Sequence, residues 1–347
     1  MILSYWLRSV ERPTAFTLAA VAATTAIFFG TLALSQDRED RVAKIVGSNA
    51  CAECHKDEAT VWKGTHHFST FRDMPRSKQA REIASKLKIR RIKADKLCLG
   101  CHFTQEKRKG RTRVTSGISC ESCHGAGADW EKLHSEFSGK GNKESESKEE
   151  AATRWKKSDA AGMIRPTALY KLAKNCYSCH VVPNEKLVNV GEHAAGSPFE
   201  LLSWSQGEVR HNVWYSKGKS NTTANQNRKR LMYVTGIAVE VEIALRAIGV
   251  ATQRKTYAVR MAHRADQARK KMAAIAIAVP SVPELTTLLA LSHSAGLKLN
   301  NKEKLFEAAD KVASVAKALL AKYDGSTLAG VDKLLPPPST YRGKPAK

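Results

Sequence analysis

The sequence predicts a mainly α protein of unlike parts, and three observations carry that expectation. Residues 14–35 contain no charged side chain. All eight cysteines fall between positions 51 and 179, in a stretch with few long periodic runs. Beyond about residue 229 the apolar residues take up a period of 3.6. The expected order is a membrane anchor at 1–35, a cysteine-bearing domain at 46–216, an antiparallel helical bundle at 229–325 and a disordered tail at 326–347.

Composition sets the outer bounds. With 42% hydrophobic residues the chain has enough apolar side chains for packed cores, which excludes wholesale disorder. Eight cysteines in 347 residues are too sparse for a small disulfide-stapled fold. The net charge of +24 calls for an acidic partner: nucleic acid, an anionic membrane or an acidic protein.

The first element narrows that choice. As a helix, residues 14–35 would be about 33 Å long, enough to cross a bilayer core. Arg8 and Arg12 precede it, which keeps the N-terminus in the cytoplasm and exports the rest. The competing reading is a cleaved signal peptide ending near Ala33-Leu34-Ser35, although signal cores usually run only about 7–15 residues. The uncleaved reading gives an inner-membrane anchor, with membrane lipid around the N-terminal helix. Both readings place the bulk of the chain in the periplasm or another extracytoplasmic compartment, and nucleic acid is excluded as a partner.

The second element carries the chemistry. The cysteines form four C-x-x-C-H units: Cys51, Cys54 and His55; Cys98, Cys101 and His102; Cys120, Cys123 and His124; Cys176, Cys179 and His180. This is the covalent c-type haem signature. Two thiols three positions apart reach the two vinyl groups of one porphyrin, and the next residue presents an imidazole to the iron. A redox dithiol needs no following histidine, and a zinc site usually pairs two such hooks. Here every unit has its histidine and no cysteine is left over. Four covalently bound haem c groups follow, with the eight cysteines as thioether donors and His55, His102, His124 and His180 as proximal ligands. A domain built this way has a haem-filled core, which accounts for its weak periodicity.

Seven histidines remain: His66, His67, His134, His193, His211, His263 and His293. Along a helix His67 would lie about 18 Å from His55, whereas two nitrogens on one metal are about 4 Å apart. His67 must therefore reach a neighbouring haem, and the same holds for His134 after His124.

At this point the residues carry a resemblance. The stretch Cys51, Cys54, His55, Lys56, Val61, Trp62, Lys63, Thr65 and His67 resembles the first haem segment of the tetrahaem cytochrome c-554 family. So does Cys98-Leu-Gly-Cys101-His102, followed by Gly117-Ile-Ser-Cys120-Glu-Ser-Cys123-His124-Gly125, Gly127 and His134. The resemblance covers roughly residues 48–215. It implies haem 1 on His55 and His134, haem 3 on His124 and His67, and haem 4 on His180 and His211. It also implies a five-coordinate haem 2, with His102 alone and its iron open.

His193 stands outside that scheme, in the loop-like run Gly191-Glu-His193-Ala-Ala-Gly-Ser-Pro198. Three readings stand for it: an extra distal ligand closing haem 2, a replacement for His211 on haem 4, or a solvated loop residue. His66 points about 100° away from His67 on a helix and reads as a surface or supporting group. Trp62 and Phe68 pack on porphyrin faces or fill core.

The remaining segments are read by composition and period. Residues 105–113 form a basic loop, and residues 138–150, rich in Gly, Ser, Lys and Glu, a mobile surface loop. Residues 217–228 are a linker. Val234, Ala238, Val241, Leu245 and Ile248 share one helix face. A second helix is expected over 252–279, ended by Pro280. Ser281, Pro283 and Glu284 open a third, and a fourth starts at Asn300 or Asn301 and closes at Gly325. Four amphipathic helices with short links give an antiparallel bundle. His263 and His293 lie in it as ordinary polar groups. The run Pro336-Pro337-Pro338 opens the extended tail.

The functional expectation is electron relay through closely spaced, mostly bis-histidine haems, between respiratory or nitrogen-cycle partners. The partner is an acidic redox protein, with a quinone-linked complex as a second possibility. The alternatives are a haem enzyme reducing a small nitrogen oxide at an open haem 2, or a membrane quinol dehydrogenase. The bundle would then serve as a scaffold for a partner subunit.

Overall fold

The computed structural model describes residues 40–346. The expected anchor at 14–35 lies outside the described residues. Among the described residues no helix is long and apolar enough to cross a membrane.

The N-terminal part is a succession of short helices: α1 (Ser48–Cys54), α2 (Lys56–Lys63), α3 (His66–Asp73), α4 (Lys78–Lys86), α5 (Lys96–His102), α6 (Cys120–His124), α7 (Glu131–Ser135) and α8 (Lys148–Ala160). Then come α9 (Leu169–His180), α10 (Glu185–Asn189) and α11 (Leu201–Ser205), and four long helices, α12 (Gln226–Gly249), α13 (Thr256–Ala278), α14 (Pro283–His293) and α15 (Lys302–Lys322).

The two parts differ in what they bury. One apolar core runs from Leu169 to Val331. Between residues 40 and 168 the buried apolar side chains are only Ala59, Val61, Ala84, Leu99, Phe103 and Trp130. Short helices with so little mutual apolar contact do not hold together by hydrophobic burial alone.

The four bundle helices match the sequence periodicity, with one difference. α12 was expected to show a single apolar face. Instead every residue from Leu231 to Ile248 except Arg246 is buried. The helix is central: α13 and α15 cover one side, α9 and α11 another. Two carboxylates are buried with it. Glu242 accepts from Tyr170 Oη at 2.5 Å and Lys174 Nζ at 2.9 Å, tying the bundle to α9. Glu240 accepts from Arg264 Nη1 at 2.7 Å. His263 and His293 are exposed. α14 starts with Pro283 in its first turn, but its cap position is Val282 rather than Ser281.

Three composition-based expectations are corrected. The basic run is not a loop but a hairpin, β1 (Thr104–Arg108) with β2 (Arg111–Ser116). Lys109 and Gly110 both take positive φ, 48° and 72°, the two-residue turn whose twist suits paired strands. Residues 138–150 are not a free loop. Glu146 accepts from Arg154 Nε at 2.6 Å and Nη2 at 2.7 Å, and Ser147 with Glu150 forms a capping box for α8.

The tail is also packed. α15 ends at Lys322 on an extended Tyr323, and Gly325, expected to close it, instead takes its left-handed φ of 95° at the start of the short helical turn that follows. Leu328 and Val331 that follow are fully buried. Further on, Arg342 N donates to Ser203 O at 3.0 Å, and Glu208 N donates to Arg342 O at 2.8 Å. Prolines favour an extended backbone but do not prevent docking when apolar residues beside them reach a core.

Arg230 secures this tail through Asp332, with Nε to Oδ1 at 2.7 Å and Nη2 to Oδ2 at 2.6 Å. The guanidinium holds the Asp332 carboxyl down at about 2. A depressed acid stabilises the fold above its unfolded value of about 3.9, and the benefit is lost as pH falls toward 2. The thermal midpoint of Asp332→Asn is therefore expected to fall below the parent's at pH 7 and to converge with it near pH 2. Melts recorded across that range check this.

Candidate haem-binding site

Each C-x-x-C-H unit is built on one helical turn. α1, α5, α6 and the end of α9 carry the cysteine pairs. Residues at i, i+3 and i+4 share a helix face, so both thiols and the histidine are directed to one side. Local capping sets where each turn falls. Asp95 accepts from Leu97 N ahead of the second unit, and Ser119 with Ser122 forms a capping box ahead of the third. Gly125, with φ 88°, ends the third unit, and a Cβ there would lie 2.3 Å from Gly162 O.

Eight histidine rings meet in four pairs. His55 and His134 lie 6.3 Å apart between ring centres and nearly parallel, at 12°. His67 and His180 are 6.3 Å apart at 45°, and His102 and His193 6.3 Å apart at 47°. His124 and His211 are 6.0 Å apart at 88°. Two imidazoles on opposite sides of one metal, at metal–nitrogen lengths of about 2 Å, have ring centres about 6 Å apart. Each C-x-x-C-H histidine thus faces one histidine from elsewhere in the chain, at a spacing that leaves room for one metal.

The partners differ in part from those the resemblance implied. His134 stands opposite His55. His67, however, stands opposite His180 rather than His124, and His211 opposite His124 rather than His180. His102, alone in the family scheme, faces His193, the residue also read as a possible extra ligand there. The backbone around His67 is held by local contacts. Gly117 lies against α3, where an added Cβ would be 2.3 Å from His67 O. Ile118 N donates to that same oxygen at 3.0 Å, and Trp62 Nε1 donates to Ile118 O at 2.8 Å. These contacts fix α3 against the segment before the third unit, with its His67 ring toward the fourth. Trp62 packs edge-on against Phe68. His66 is turned outward, its Nδ1 2.6 Å from Glu208 Oε2.

Gly117→Ala is therefore expected to displace α3 and draw His67 off His180. In the haem-loaded protein this reads as one iron passing from low to high spin, checked by absorption spectroscopy of the oxidised form.

The rings are prepared as neutral donors. Burial pushes His102 and His180 down to about 4 and also lowers His67, His124 and His134. Neutral imidazole is the form that binds metal. Nδ1 is occupied in most of them. His124 meets Ile164 O at 2.9 Å, His193 Ala194 O at 2.8 Å, and His211 Val209 O at 2.7 Å. His134 meets Glu131 O, and His180 meets Ser197 Oγ at 3.0 Å. A carbonyl only accepts, so Nδ1 carries the proton in the rings facing carbonyls and Nε2 keeps its lone pair for a metal.

The cysteines show which units are neighbours. The Cys51 thiol lies beside that of Cys120, and the Cys101 thiol beside that of Cys179. Cys123 lies near Cys176 and Cys179, and Asn175 Nδ2 donates to Cys123 O at 3.1 Å. The spatial order of the units is first, third, fourth, second. A cavity of about 840 Å³, lined by His67, His102, His180 and His193, opens between the second and fourth units. These rings, thiols and space fit c-type haem; three of the four units lie in the stretch with few buried apolar side chains, and the fourth lies on α9 against the apolar core.

Residues 50–125 match the family described as cytochrome c554 and c-prime. The chain is also 27% identical over 147 residues to cytochrome c-554 of Nitrosomonas europaea, an alignment covering 40% of this chain and 58% of that protein. The chain thus spans somewhat over half the length of that curated relative. No solved structure matches. The segment from residue 50 to 125, which carries three of the four C-x-x-C-H turns, is a cytochrome c554 and c-prime family domain.

Proposed function

We propose that this protein is a membrane-anchored, extracytoplasmic electron relay carrying four c-type haems, each held between two histidines. The observation that carries the reading is the common spacing of the four ring pairs, 6.0–6.3 Å. The ligand pairs are His55 with His134, His102 with His193, His124 with His211 and His180 with His67. When bound, haem supplies a one-electron iron couple. The paired histidines would hold it from both sides, and the carbonyls at Nδ1 of His124, His134, His193 and His211 leave Nε2 of those rings free to bind it. His193 opposite His102 supports a closed second site, and with it the carrier reading over reduction of a nitrogen oxide.

The order first–third–fourth–second makes the first and second units the two ends of the relay. At the first end His55 packs 4.7 Å from Trp214, itself half exposed, and the neighbouring Tyr215 is 91% exposed. Exposed aromatic surface beside a redox centre, on a chain of net charge +24, suits an acidic redox partner. Residues 14–35 would tether the relay at the membrane, within reach of a quinone-linked complex.

Electron paramagnetic resonance of the oxidised protein, with spin integration, tests the core of this reading. The expected result is four low-spin ferric irons. A high-spin signal integrating to one iron would overturn the closed second site. Haem reduction by quinol in membranes, absent when residues 1–35 are removed, tests the tether.

A further inference from the structure

The bundle contains no C-x-x-C-H unit, yet one of its side chains reaches the ligand residues. Arg264 of α13 divides its guanidinium between two partners. Nη1 donates to Glu240 Oε1 on α12 at 2.7 Å. Nη2 donates to the main-chain oxygen of Ser197. Arg264 and Glu240 are both largely buried, with side chains 13% and 7% exposed.

Ser197 is placed at a junction. Its nitrogen donates to His180 O at 2.9 Å, and its Oγ lies 3.0 Å from His180 Nδ1. The residue before it, Gly196, has φ 86°, and a Cβ there would lie 2.9 Å from both Arg264 Nη2 and His180 O. The arginine head therefore sits in space that only glycine leaves free. The same short loop carries His193, whose nitrogen donates to Leu187 O at 3.0 Å and whose ring faces His102. Within the same stretch Ala195 packs on the apolar core.

We propose that Arg264, braced by Glu240, is a positioning residue for two haem ligand sets at once: it orients His180 through Ser197, and it holds the His193 loop across from His102. This rests on the bis-histidine reading above. It assigns the bundle a purpose within the relay, as the support that closes the second site. Arginine suits the task because its planar fork donates in two fixed directions, which lysine does not. Groups that orient a metal ligand typically change ligand affinity by about 10–100-fold when removed.

The test uses the full haem-loaded protein. The double variant Arg264→Met with Glu240→Gln removes both charges and leaves no unpaired buried ion. Its expected signature is a high-spin ferric signal of up to one iron, together with cyanide binding at roughly 10–100-fold lower concentration than in the parent. Arg264→Lys is expected to fall between the two. Ser197→Ala leaves the bundle intact and tests the His180 arm, with the expected result a shifted reduction potential for one iron and no high-spin signal. It also covers the case in which the double variant does not fold, which circular dichroism reveals. A parent that is wholly low spin, with variants matching it in spin state, cyanide binding and potentials, overturns the Arg264 assignment alone. A parent already showing a high-spin iron overturns the bis-histidine reading on which the assignment stands.

Discussion

Replacing Glu121 with alanine is expected to destabilise the protein by on the order of 3–6 kcal/mol. The carboxylate is fully buried within the third C-x-x-C-H unit. Its Oε1 accepts from Val46 N at 3.0 Å and Gly127 N at 2.7 Å, and its Oε2 accepts from Gly47 N at 2.8 Å. Alanine would leave three main-chain N–H groups without an acceptor, each worth about 1–3 kcal/mol when buried. The geometry around the group is tight. A Cβ on Gly127 would sit 3.0 Å from Glu121 Oε1. Val46 and Gly47 lead directly into α1, so this one side chain fixes the first unit against the third. Guanidinium unfolding followed by circular dichroism measures the loss. Glu121→Gln, which keeps an acceptor but turns an NH₂ group toward at least one donor, should fall between. An alanine variant within 1 kcal/mol of the parent would show that the carboxylate is not the tie described.

The second large effect belongs to His193. On the bis-histidine reading, His193→Ala leaves His102 as the sole axial residue of its site. One iron of four should become high spin, and the reduced protein should bind carbon monoxide at that iron where the parent does not. His66→Ala and His263→Ala alter exposed rings outside the four pairs and should leave the spectrum unchanged. If His193→Ala stays low spin without carbon monoxide binding, another residue fills the position. The variant is also a direct way to learn what an open second site would do, because the alternative function, reduction of a small nitrogen oxide, requires such an iron.

These two residues show how unevenly the molecule is written in its sequence. The positions of the eight cysteines and of His55, His102, His124 and His180 follow from covalent spacing, which no tertiary arrangement alters. The four bundle helices follow from period and, in part, from punctuation: Pro283 opens α14, whereas α15 ends at Lys322, three residues before Gly325. The pairing of His67 and His211 was not legible, because it depends on how α3 lies across other segments. That orientation is set by the contact of Gly117 with a main-chain oxygen. Glu121 was visible only as part of a motif, since nothing in sequence distinguishes a buried acceptor of three N–H groups from a surface glutamate. His193 sits in a loop without periodicity, so its ring partner emerges only from the fold. The docking of the tail is hidden in the sequence for a related reason. Its prolines dominate the composition, while the apolar residues that dock it, Leu328, Val331, Leu334, Leu335 and Tyr341, are scattered among polar ones.

The four ring pairs share a spacing but not an orientation. Their planes cross at 12°, 45°, 47° and 88°. In a low-spin ferric centre, parallel axial rings lift the degeneracy of the two iron orbitals that overlap the imidazole π system, and perpendicular rings leave them nearly equal. On the bis-histidine reading, irons held between His55 and His134 and between His124 and His211 would occupy opposite ends of that scale. Their magnetic anisotropies should differ enough for each to be followed separately in a frozen-solution spectrum, so the fold labels its own redox centres without any isotope or probe.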